Sequence, residues 1–90
     1  MKLTLNYHQD AAHGWLEVPH GYVQSLAIPV SGYSYMRGND LYLEEDCDMS
    51  RFMAAAMAAG WLVNLVRVED GDWSPIRNYQ RPSNARPSHY

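Results

Sequence analysis

The stretch "GYSYMRGNDLYLEEDCD", Gly32 to Asp48, decides how this chain folds, because two runs of alternating side chains flank Gly38-Asn39. Glycine and asparagine tolerate the positive φ angles of a tight hairpin turn, so the two runs are predicted to pair as antiparallel strands. A two-residue loop sets Arg37 opposite Asp40, Met36 opposite Leu41, Tyr35 opposite Tyr42 and Tyr33 opposite Glu44. Successive strand residues point to opposite faces, which puts Tyr33, Tyr35, Tyr42 and Glu44 on one side and Met36, Leu41 and Leu43 on the other. The aliphatic side is the better core candidate. The tyrosines are then expected on the exposed face of a sheet.

Downstream, "DMSRFMAAAMAAG" carries Met49, Phe52, Met53, Ala56 and Met57 within one apolar arc, is rich in the best helix former, and ends on a glycine suited to a C-cap. Asp46 or Asp48 is predicted to cap its N-terminus, where carboxylates meet the positive end of the helix dipole. "WLVNLVRVE" follows as a strand rich in β-branched residues, closed by the turn-like "DGD". Upstream, "KLTLNYH" and "WLEVP" both alternate with period two, and "PHGYVQSLAIP" suits a short helix between two prolines. The predicted order is β-β-α-β-β-α-β. This is the pattern of an α+β fold: one small domain with a mostly antiparallel five-stranded sheet and helices on one face. Residues 1–71 form that domain, and residues 72–90, with three prolines and three arginines, are expected as an extended tail with Trp73, Ile76 and Tyr79 as candidate anchors.

Composition narrows the function classes. Ninety residues allow a single core, and a 47% apolar fraction with three Trp and seven Tyr excludes a wholly disordered chain. The longest apolar stretch, Phe52 to Val66, is shorter than the roughly 20 residues needed to cross a bilayer. The N-terminus turns polar by Asn6, before an apolar signal region of about 7–15 residues can form, so no membrane association and a cytoplasmic location are expected. The lone Cys47, unable to form an internal disulfide, agrees with that location. Residues 1–71 carry four basic and nine acidic side chains, a balance of −5, within a whole-chain net charge of −3. Such a body lacks the Lys and Arg cluster that phosphate binding needs, which disfavours direct nucleic-acid binding and suits a basic protein partner.

The acidic stretch "YLEEDCD" has neither the 12-residue spacing nor the obligatory glycine of an EF-hand, and Cys47 lacks the close-pair His spacings of zinc motifs, so no metal or other cofactor is expected. Cys47 reads as a buried structural thiol, since neighbouring carboxylates disfavour a thiolate. Asp10 and His13 raise an acid–base dyad, without a nucleophile or oxyanion motif to complete it. The aromatic face has two readings: packing under the tail or in the core, or a binding surface, since Tyr and Trp supply contact area with a polar handle. The candidate binding set is Trp15, Glu17, Tyr33, Tyr35, Tyr42, Glu44 and Glu45. An unfilled face or strand edge can also bury itself in a homodimer.

The stretches "HGWLEVP" (residues 13–19), "YSYMRG" (33–38), "YLEEDCD" (42–48) and "IRNY" (76–79) give the chain a resemblance to a group of small, largely uncharacterised proteins carried by phages, plasmids and integrated elements of bacteria. The resemblance supplies no catalytic residues. It implies a setting, in which small acidic proteins of the anti-CRISPR or antirestriction type occupy basic, nucleic-acid-handling surfaces of host-defence proteins. The resulting expectation is a non-enzymatic protein-binding accessory protein in a bacterial host. The alternatives are a small enzyme using His13, Asp10 and Cys47, and a nucleic-acid-binding module using the aromatics and the arginine-bearing tail.

Overall fold

The fold follows from where the alternating runs find partners. In a computed structural model, which describes residues 1–82, the elements are β1 (Lys2–Gln9), β2 (Gly14–Pro19), α1 (His20–Ser25), β3 (Tyr35–Arg37), β4 (Asp40–Glu44), α2 (Asp48–Ala58) and β5 (Leu62–Glu69). A short 3-10 turn, Pro75–Asn78, comes after them. The order is β-β-α-β-β-α-β, as the sequence predicts, and the chain is an α+β domain. Its sheet runs β3-β4-β2-β1-β5. Every adjacent pair is antiparallel except β1 with β5, because the crossover through α2 returns β5 alongside β1 in the same direction.

The hairpin register is as read from Gly38-Asn39: Arg37, Met36 and Tyr35 pair with Asp40, Leu41 and Tyr42, and Gly38 takes φ +60°. Tyr33 departs from it. β3 begins only at Tyr35, and the Ser34 hydroxyl, not a strand partner, accepts the Glu44 N–H at 3.0 Å. Leu3, Leu5, Leu16, Val18, Leu41 and Leu43 form the inner face of the sheet and pack against Val23 of α1 and Phe52 and Ala56 of α2. Met57, expected in the apolar arc, is 78% exposed. Phe52 and Ala56 are the α2 residues buried in the core, and Met57 falls outside that stripe.

α2 ends as its glycine demands. Gly60 has φ +78°, and the Gly60 and Trp61 N–H groups donate to the Met57 and Ala56 carbonyls, the paired bonds of a Schellman cap. Its start differs from expectation. Cys47 is the N-cap and no side chain caps the helix. Asp48 is instead fully buried and turns back to the loop before β3, where it accepts from Ser31 N (2.9 Å), Ser31 Oγ (2.7 Å) and Ser34 Oγ (2.5 Å). An aspartate on the first turn thereby holds the loop that carries Tyr33.

The outer face of the sheet is covered rather than open. Ile76 is buried against Trp15 and Tyr42, with Tyr35 and Tyr79 packed beside them. The segment is fixed by Asp10, which Arg77 grips with Nε (2.7 Å) and Nη2 (3.0 Å) while Ser74 donates its N–H at 2.9 Å. Ser74 also caps the 3-10 turn by accepting from Ile76 N, and its hydroxyl donates to Asp70 at 2.6 Å. Residues 74–80 are thus docked, with Gln80 bridged to Met36 at the β3 edge. The expectation of an extended tail applies from there to residues 83–90, which lie outside the described residues. Among the described residues, no helix is long and apolar enough to cross a membrane.

Candidate functional site

Sheet pairing gathers the chemistry-bearing side chains at one end of the outer face. Pairing of Trp15 with Glu44 brings the β1–β2 turn beside the end of β4. Around that junction lies an open pocket of about 510 Å³. His13 and Trp15 line it from the turn and β2, Tyr33 and Tyr35 from the loop and β3, and Glu44, Asp46 and Cys47 from the approach to α2. Arg77 and Arg81 close it from the C-terminal segment. Each of the four quoted stretches contributes at least one lining residue.

Its two guanidinium groups are held differently. Arg77 lies between the Trp73 and Trp15 rings, 4.3 and 5.3 Å from their centroids, and is committed to Asp10. That pair, with the Asp10 side chain fully enclosed, holds the Asp10 carboxyl far below the usual carboxylate range, since Arg77 and three backbone N–H donors all favour the charged form. Arg81 sits 4.1 Å from the Tyr35 ring centroid and donates to the Ser34 carbonyl at a long 3.4 Å. A ring face and one carbonyl hold it. The pocket therefore offers aromatic faces beside carboxylates, the chemistry that receives a cation.

The predicted binding residues divide into three groups. Tyr33, Tyr35 and Glu44 line the pocket together with an edge of the buried Trp15, and Tyr33 is 71% exposed. Trp15 and Tyr42 are only 2% and 7% exposed, which corrects the expectation of an open tyrosine face: the chain's own Ile76 and Tyr79 occupy it. Burial, and then the nearby Glu17 charge, push the Tyr42 hydroxyl up to about 12. Glu17 is half-buried and engaged with His8, whose Nε2 lies 2.7 Å from Oε1. The other His8 nitrogen faces Asp70 at 3.3 Å.

Glu45 accepts the Tyr7 hydroxyl at 2.7 Å, and burial together with that carboxylate raises Tyr7 to about 12. A Cβ on residue 14 would collide with the Tyr7 hydroxyl, so Gly14 is what lets the tyrosine pass beneath the turn. Donor atoms of His13, Glu44 and Glu45 lie within 4.8 Å of one another.

Two other expectations change. Cys47 is half-buried and opens on the pocket, so it is not a core thiol. Asp10 orients no imidazole: it accepts the backbone N–H of His13 at 2.9 Å and spends its remaining capacity on Ala12, Ser74 and Arg77. His13 and Cys47 nevertheless line the same pocket. Sequence spacing could not pair residues 13 and 47 and gave no signal for Arg77, whereas Ile76 and Tyr79 stood out as apolar residues in an otherwise polar segment. The fold and pocket define a small α+β domain with an aromatic, acid-rimmed cleft. Comparison with family models, curated proteins and solved structures found no match.

Proposed function

We propose that this protein is a non-enzymatic binding module that seats an arginine or lysine side chain of a basic partner protein in the pocket between Tyr33, Tyr35, Glu44 and Asp46. The observation that carries the reading is the seat of Arg81, where a guanidinium already lies over the Tyr35 ring at the mouth of an acid-rimmed pocket. A partner's cation meets the same ring chemistry plus the Glu44 and Asp46 carboxylates. The acidic balance of residues 1–71 favours such a partner at longer range. In the setting that the sequence resemblance implies, the partner is a nucleic-acid-handling protein of a bacterial host's defence, and the module acts by covering its basic surface.

Titration with an arginine-rich peptide at low salt tests the proposal. The expected result is saturable binding that weakens as salt rises, with the paired substitutions Glu44→Gln and Asp46→Asn reducing affinity about tenfold or more, as expected for loss of two partly desolvated charges. Equal binding by the substituted protein, or none at millimolar peptide, refutes it. One observation favours a second, enzymatic reading: His13 and Cys47 share the pocket. A hydrolase of that kind would be inactivated by alkylation of Cys47, whereas peptide binding without any turnover assigns the pocket to recognition.

A further inference from the structure

We infer that β5 is the self-association edge of this protein, and that two copies pair antiparallel through it about a two-fold axis at Leu65, joining their sheets into one of ten strands. The two edges of the sheet are treated differently by the chain. At β3 the edge is bridged by Gln80, whose carbonyl accepts the Met36 N–H at 2.7 Å. At β5 an eight-residue strand, "LVNLVRVE", forms the other end of the sheet. It contains no proline and no lysine, and its charged residues, Arg67 and Glu69, lie toward its C-terminal end. It also exposes apolar side chains on both faces: Leu62 is 60% exposed, Leu65 44% and Val66 46%.

The backbone sets which groups are available. Leu62 and Asp70 donate their N–H groups toward β1, to Met1 O and Gln9 O. In a parallel ladder alternate residues bond to the same neighbour, so Leu62, Asn64, Val66 and Val68 face β1. Val63, Leu65, Arg67 and Glu69 then turn N–H and C=O outward. A two-fold axis normal to a sheet brings residues of equal face opposite one another. Centred on Leu65, it sets Leu65 against Leu65, Val63 against Arg67 and Leu62 against Val68 of the second copy, with no like charges opposed. Val63, Leu65 and Arg67 become mutual hydrogen-bonding partners, and Leu65 meets Leu65 on one face while Leu62 meets Val68 on the other, with Val66 set against Asn64. The second copy is the occupant because centring on Leu65 pairs the outward backbone groups of residues 63–67 with their own copies and sets the exposed Leu65 and Leu62 against apolar residues.

Sedimentation or light scattering on the full chain over micromolar concentrations reads the outcome. The expected species has twice the 10.3 kDa chain mass. Leu65→Lys and Leu65→Glu each place like charges opposite one another at the axis, at a position already exposed in the single chain. Each alone is expected to run at the single-chain mass with an unchanged circular dichroism spectrum, and an equimolar mixture to recover the double mass. A chain that stays single at all concentrations overturns the inference. So does a double-mass species that persists in either variant alone. The arginine-peptide affinity of the Leu65 variants is expected to match the parent, since the pocket lies at the other end of the sheet order, which keeps this result separate from the pocket's.

Discussion

Asp10 shows what one buried carboxylate can do at the residue scale. Its side chain is fully enclosed and ties the β1–β2 turn to Ser74 and Arg77, residues more than sixty positions away. Because its folded pKa lies below the unfolded value, its stabilising contribution is complete above the ordinary carboxylate range near pH 4 and is lost as pH falls from there toward the folded pKa. Acid titration followed by tryptophan fluorescence is expected to show a transition beginning below about pH 4, as the Arg77 contact between Trp15 and Trp73 loosens. Asp10→Asn removes that transition and costs about 3 kcal/mol, since it leaves Arg77 without its partner. A denaturant midpoint unchanged from the parent would contradict the assignment. None of this was legible in "QDAAH", where Asp10 reads as a neighbour of His13. Its true partner is set by the docking of a distant segment.

At the scale of elements, local chemistry fixed most of the structure. Gly38-Asn39 set the hairpin register, and Gly60 set the end of α2 through its left-handed φ. Gly60→Ala keeps the helix's apolar arc but forces a Cβ into that conformation, so a loss of about 1–2 kcal/mol is expected by thermal or denaturant unfolding. Gly14→Ala is a contrasting probe, because there the obstacle is the Tyr7 hydroxyl rather than backbone strain. The start of α2 was misread for a physical reason. A carboxylate beside a helix N-terminus can cap it or reach elsewhere, and the Ser31 N–H with the Ser31 and Ser34 hydroxyls offered Asp48 three buried bonds. Of the candidate site, the strand residues were legible from alternation. Its completion by Cys47, Arg77 and Arg81 depended on how separate elements come together.

At the scale of the molecule, the sheet has two covered faces. Helices pack on the aliphatic side, and the C-terminal segment packs on the aromatic side. Deleting residues 73–90 is expected to expose Trp15 and Tyr42, increase binding of a hydrophobic dye, and lower stability by about 3–5 kcal/mol, from the lost burial of Ile76 and the lost Asp10–Arg77 pair. If dye binding and stability did not change, the segment would not be part of the fold.

The sequence by itself determined the element order, the hairpin register, the aliphatic core face and the helix end, because each depends on periodicity or on a turn residue acting over a few positions. Only the tertiary structure decided which face of the sheet was open. Alternation separates two faces but does not say what lies over them. Burying Ile76, engaging Tyr79 and pairing Arg77 with Asp10 together close the tyrosine face and leave the pocket at its end.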